Sequence, residues 1–241
     1  MSEQLPSVPG PAVPRPQVSL AISWAFDTFK RHPLPFIALA AVVAVIQVIQ
    51  EIGAQPLSAI VADCSDPQTQ GQINACAAAV GFTAIAGIVV TFVFLVLAFL
   101  ATIGVYRAAL DVSRGITPEF TVLLKTENLG RYVVFSLAYL GLVILGFILC
   151  VIPGILVAFF LQLGPFFVLD RGYRPVEAMK ASYSVISKNV GPAIVMVIFS
   201  LIVTLLGSAF YGILTLVTLP FAALFIVHMY RQFNGETVAQ R

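Results

Sequence analysis

Charge is scarce in this chain: 10% of its 241 residues are Asp, Glu, Lys or Arg, against about 25% in soluble domains. With 59% hydrophobic residues and a mean hydropathy of +0.99, too little polar surface remains to keep a water-soluble globule in solution. A membrane protein is therefore expected. The net charge of +2 is small and scattered, which excludes a nucleic-acid partner. Histidine occurs twice and cysteine three times. Neither His32 nor His228 has a cysteine or carboxylate at ligand spacing, so no metal or other cofactor is expected. No glycine loop with the lysine of a phosphate cradle and no nucleophile motif occurs, and the chain reads as non-enzymatic. The opening MSEQLPSVPGPAVPRPQ lacks an apolar core and is rich in proline, so residues 1–17 are expected to form a disordered cytoplasmic tail rather than a signal peptide.

Long uncharged runs fill much of the rest. A bilayer core takes about 20 helical residues at 1.5 Å each. Leu34 to Gln50 supplies one span, closed by Glu51, and Ala75 to Val105 supplies a second, overlong one. Tyr132 to Leu169 is long enough for two, with a turn expected at residues 151–154, where Pro153 and Gly154 stand. Val190 to Tyr230 makes two more, broken between Gly207 and Gly212. The expected fold is all-α and polytopic: six transmembrane helices in a membrane domain over 18–235, with 236–241 as a C-terminal tail. If Ala75 to Val105 crosses once, all 13 Lys and Arg residues fall on one face, which places both termini in the cytoplasm of a bacterial cell membrane. Splitting that run would scatter them.

Between the runs lie about three stretches of amphipathic period, expected as cytoplasmic interfacial helices. In PVEAMKASYSVISKNVGP, residues 175–192, Val176, Met179, Tyr183 and Ile186 share one stripe, while Glu177, Lys180, Ser184 and Lys188 face elsewhere. VSLAISWAFDTFKRHPLP, residues 18–35, repeats the design without a gap: Ala21 aligns with Ala178, Phe26 with Tyr183, Arg31 with Lys188 and Pro35 with Pro192. A weaker third copy runs from Pro118 to Tyr132. Three repeats over 18–110, 117–170 and 175–231 are the resulting expectation, each an interfacial stretch feeding an out-and-back pair of spans. The competing explanation is that any loop feeding a membrane helix tends to be amphipathic and basic.

From Pro153 onward, PGILVAFFLQLGPFFVLDRGYRPVEAMKASYSVISKN resembles bacterial integral membrane proteins related to the glycerophosphoryl diester phosphodiesterase membrane domain. The resemblance rests on Pro153-Gly154, Pro165, Asp170-Arg171-Gly172 and Glu177-Ala178 with Ser182, and extends to YRAALDVSRGITPEF and MYRQFNG. It implies a polytopic membrane fold and no hydrolase, because the phosphodiesterase of that group is a separate soluble domain that this chain lacks.

Three sets of residues remain as candidate sites. Cys64 and Cys76, in the outer loop, either close a disulfide or stay as two thiols; a bridge over so short a loop is worth about 3 kcal/mol. Gln47, Glu51 and Gln162, on the first and fourth spans, are polar groups that either line a transport or lipid-handling pocket or join helices by hydrogen bonds. Lys30, Arg31, Arg171, Arg174, Lys180 and Lys188 set the topology and are placed to attract anionic lipid headgroups. Small residues four apart, such as Gly104 and Ala108, offer packing seams for this bundle or for other membrane subunits.

Overall fold

The computed structural model describes residues 16–63, 69–208 and 214–239, with backbone alone described at 51–63, 123, 124 and 208. The protein is all-helical among these residues: α1 Val18–Arg31, α2 Pro33–Asp63, α3 Gln70–Ser113, a 3-10 turn at Phe120–Leu124, α4 Leu129–Leu149, α5 Val151–Leu161, α6 Gly164–Arg171, α7 Pro175–Lys188, α8 Val190–Ser208 and α9 Thr215–Phe233. Six stretches are long and apolar enough to cross a membrane, with α5 and α6 together forming the fourth. The expected tail at 1–17 lies almost wholly outside the described residues, as does Gly212 at the expected break before α9.

Two compact units divide these helices. The first comprises Met1–Ala25, Asn128–Phe199 and Phe225–Arg241; the second comprises Phe26–Glu127 and Ser200–Leu224. In the second unit α2 and α3 form a helical hairpin. The charge-free run Ala75–Val105 lies within one unbroken helix, α3, whose 44 residues extend about 66 Å against about 30 Å of hydrocarbon, and with no turn inside it the run can cross only once. Thr69 starts it with a capping box, its hydroxyl accepting from the Gln72 amide while the Gln72 side chain accepts from the Thr69 amide. Its apolar side chains stay outward as far as Leu100, as suits lipid contact, and only its last turns, from Ala101 on, are packed.

The first unit is built on the α4–α5 hairpin. Its turn is tighter than the sequence indicates: Cys150 alone is extended, and Pro153 and Gly154 lie inside the first turn of α5. Proline is tolerated there because an N–H in the first helical turn has no partner to lose. Both glycines of the turn are needed: a Cβ on Gly146 would stand 2.8 Å from the Gly154 Cα, and a Cβ on Gly154 would stand 2.6 Å from Cγ of Phe147. Cys150 is an exposed free thiol.

A second departure is the interruption of the fourth span at Gln162–Leu163. Pro165 has no N–H to give the Leu161 carbonyl and crowds it, so α5 stops and α6 restarts. Ser182 of α7 bridges the gap: its hydroxyl accepts from the Leu163 amide at 3.2 Å and donates to the Phe160 carbonyl at 2.8 Å. The helix break and the interfacial helix are thus one construction.

Helices α1 and α7 both contain 14 residues, and one shift of 157 positions carries Val18 onto Pro175, Arg31 onto Lys188 and the start of α2 onto the start of α8. The burial pattern follows the same shift: Ala21 with Ala178, Ala25 with Ser182, Phe36 with Ala193 and Leu39 with Met196 are all inaccessible. The third amphipathic stretch, Pro118 to Tyr132, forms no interfacial α-helix: it holds a five-residue 3-10 turn at Phe120–Leu124 and, after the left-handed Asn128, the first turn of α4. Gly115, Gly172 and Gly235, which follow α3, α6 and α9, all have positive φ, between 64° and 82°. Each of these three helices therefore stops at a left-handed glycine, the usual helix stop.

Candidate functional site

The densest polar arrangement among the described residues lies in the first unit, where the end of α6 meets the end of α9. Phe166 and Phe167 of α6 pack on the ring of Tyr230, at centroid distances of 5.9 and 5.0 Å, and hold the two helices together. That contact sets Asp170 opposite Arg231. The guanidinium grips the carboxylate with both nitrogens, Nη2 to Oδ1 at 2.6 Å and Nη1 to Oδ2 at 3.0 Å, and the Tyr230 hydroxyl donates to Oδ2 at 3.1 Å. Both charges are buried, with side chains 3% and 8% exposed. Pairing with hydrogen bonds is what makes burial of two charges tolerable.

Outside this pair lies a second, more open one. Gly235 turns the chain back so that the Glu236 amide donates to the Arg231 carbonyl, and the Glu236 carboxylate reaches Arg231 Nη1 at 2.5 Å and Arg171 Nη2. The C-terminal tail at 236–241 is thereby fastened, as far as it is described. Ala239 adds a further tie, its carbonyl accepting from Trp24 Nε1 at 3.3 Å. Gln232 exchanges hydrogen bonds with the Gln17 backbone and reaches His228 Nδ1 at 2.7 Å.

The headgroup candidates divide accordingly. Lys30, Arg31, Arg174, Lys180 and Lys188 are exposed, Lys30 lying over the Phe26 ring at 4.1 Å. Arg171 is engaged by Glu236 and is not simply presented to lipid. On α7 the buried stripe is Ala178, Ser182 and Ile186, leaving Val176 and Tyr183 outward; the helix has three faces, because small residues let it approach α5 and α6 closely. Arg107, counted in the sequence only as a topology marker, is buried and donates to the Lys125 and Glu127 carbonyls, fixing the loop after the 3-10 turn. Arg131 similarly donates to the Gly172 carbonyl at 2.6 Å.

The polar-pocket residues do not share a described site. Gln47 is exposed in the second unit, the Glu51 side chain lies outside the described residues, and Gln162 sits at the α5–α6 break of the first unit. Its Nε2 is buried and has no hydrogen-bond partner among the described residues. Cys76 lies in the second turn of α3, and Cys64 is outside the described residues. The pairing of these two is tested by an impermeant maleimide on unreduced cells: a bridge predicts no labelling at either position until a reductant is added, and labelling of both without it refutes the bridge. Among the described residues no group of three His, Cys, Asp or Glu side chains is placed to hold a metal.

No family model matches the chain, and no solved structure matches it. The expected resemblance to the phosphodiesterase membrane domain therefore has no support from these comparisons. The chain is 28% identical over 232 residues to an uncharacterised protein of Mycobacterium bovis, covering 91% of this chain and 69% of that protein. Two uncharacterised proteins of Mycobacterium tuberculosis strains match to the same extent. The chain is thus a helical, apolar protein of multi-pass membrane type with uncharacterised mycobacterial relatives.

Proposed function

We propose that the chain is a non-enzymatic component of the bacterial cytoplasmic membrane, both termini cytoplasmic, that organises a membrane complex or the lipids around it. The carrying observation is the pair α1 and α7, each joined by a single residue, His32 or Asn189, to a membrane-crossing helix. Each presents exposed apolar side chains, Leu20 and Phe26 or Val176 and Tyr183, beside exposed cations, Lys30 and Arg31 or Lys180 and Lys188. That combination suits a helix lying at the level of headgroups and upper acyl chains. The family reading made from the sequence agrees with a membrane role of this kind and adds no activity. The test is purification from the native host in mild detergent. A stoichiometric protein partner, or anionic lipid enriched over the bulk membrane, is expected; a chain that elutes with neither refutes the reading. The orientation is tested by tags at positions 120 and 70, which must report opposite compartments.

One observation favours a second reading, a small transporter or lipid-handling protein. A buried amide without a partner, beside a broken membrane helix, is the kind of group that binds a substrate. Gln162→Leu and Glu51→Gln then abolish the activity in a strain that requires the gene. Unchanged growth and lipid composition assign these residues to packing.

A further inference from the structure

We propose that Arg171 and Arg231 form an oxyanion site for a phosphate group at the membrane surface, and that the chain's own Glu236 occupies it as a displaceable stand-in. Two guanidiniums from two helices converge on one carboxylate, each taking a different oxygen: Oε1 accepts from Arg171 and Oε2 from Arg231. Forks that accept a carboxylate in this way accept a phosphate equally well. The half of the site made by Arg231 is prepositioned, since Asp170 holds its guanidinium from behind through two hydrogen bonds. The other half is accessible: the side chains of Arg171 and Glu236 are 30% and 34% exposed.

Charge and position both fit the ligand. Asp170 and Glu236 both sit on Arg231, so a phosphate entering where Glu236 leaves replaces one anion by another and restores the negative charge that the two arginines lose. Arg171 and Arg231 stand in the last turns of two membrane-crossing stretches, Val151–Arg171 and Thr215–Phe233, which is where headgroup phosphates lie. Departure of the side chain needs no unwinding of α9, because Glu236 follows the left-handed Gly235 beyond its last turn. Departure of the whole tail breaks the hydrogen bonds of the Glu236 amide to the Arg231 carbonyl and of Trp24 Nε1 to the Ala239 carbonyl. The tail can leave while α9 and the Asp170–Arg231 pair stay folded. A lipid headgroup and a soluble phosphate ester present the same chemistry, and the experiment separates them. The inference rests on the membrane location in that reading and on no protein partner, so its failure leaves a protein-organising role intact, and co-purification without a protein partner leaves the site intact.

The test is native mass spectrometry of the full chain in a neutral detergent, with dioleoylphosphatidylglycerol, dioleoylphosphatidylcholine or inorganic phosphate as probe. Glu236→Ala is expected to retain phosphatidylglycerol about fivefold better than the unaltered chain, one elementary charge's effect near an anionic surface. Phosphatidylcholine retention should not change, and adding Arg171→Gln should remove the gain. A gain with inorganic phosphate but not with phosphatidylglycerol supports the site and assigns it to a soluble ligand. No gain with either anionic probe, an equal gain with phosphatidylcholine, or a gain that survives Arg171→Gln overturns the proposal. Should Glu236→Ala fail to fold, hydrogen exchange in the unaltered chain decides: phosphatidylglycerol must accelerate exchange at residues 234–239, and unchanged exchange overturns the proposal.

Discussion

Replacing Asp170 by alanine is expected to destabilise the purified protein by about 3 kcal/mol, because it strands a buried guanidinium whose main partner has gone. Arg231 is 8% exposed at its side chain and cannot recover water in exchange, and the Tyr230 hydroxyl loses its acceptor as well. Glu236 remains on Arg231 and keeps the loss near the lower end of what a broken buried pair costs. By contrast, Glu236→Gln alone should change stability by less than about 1 kcal/mol, as for other exposed pairs. Unfolding in a graded detergent or denaturant series measures both. The decisive variant is Asp170→Leu with Arg231→Met, which removes both charges and keeps the volume apolar; it should recover most of the loss. A double variant no more stable than Asp170→Ala, or an Asp170→Ala protein that unfolds with the unaltered chain, removes the pair from any account of what holds α6 to α9.

None of this coupling can be read from one chain of letters, and the reason is physical. Span length and charge placement are one-dimensional quantities, and they suffice for the six crossings and for the single passage of the Ala75–Val105 run. Which helix a charged residue meets is a three-dimensional quantity. Asp170 and Arg231 are 61 positions apart, and periodicity assigns each a face without assigning a partner. Both nonetheless stand in short motifs noticed for other reasons, LDRG and MYRQFNG, and an acid and a base at the ends of two different spans is the signal that was available.

Proline was legible as a breaker and misleading as to where. Pro153 reads as a turn yet starts a helix, whereas Pro165 reads as part of a span yet interrupts it, because only the register of the preceding carbonyls separates the two cases. On α7 a two-sided reading put Ile186 toward lipid, and it is buried. The missed third face is marked by Ala178 and Ser182, four apart and small, a pattern that brings membrane helices together. Of the candidate sites, all six cations are exposed, Arg171 with its guanidinium engaged by Glu236, while Gln47 and Gln162 belong to different compact units.

The second large effect is expected at Gly164, the first residue of α6. A Cβ built there would stand 2.1 Å from Cζ of Phe135 and 2.4 Å from its Cε2, well inside contact distance. A ring edge on the surface would swing aside, but Phe135 is fully buried and stacks on Tyr139 with centroids 6.0 Å apart. The methyl of Gly164→Ala must therefore push α6 away from α4, and overpacking of this kind costs about 1–3 kcal/mol. The expected result is a marked loss of detergent stability. Gly141→Ala, on the same α4 but facing open space, is the control, and it should gain up to about 1 kcal/mol from helix propensity. Shortening the obstructing ring tests the cause: Phe135→Leu combined with Gly164→Ala should lose less than the two single changes added together, with a coupling of about 1 kcal/mol or more. Strict additivity would mean that the close approach of α4 and α6 does not limit stability. Since the same approach seats Phe166 and Phe167 against Tyr230, a loosened α6 should also weaken the grip of Asp170 on Arg231, so Gly164→Ala and Asp170→Ala are expected to be less than additive.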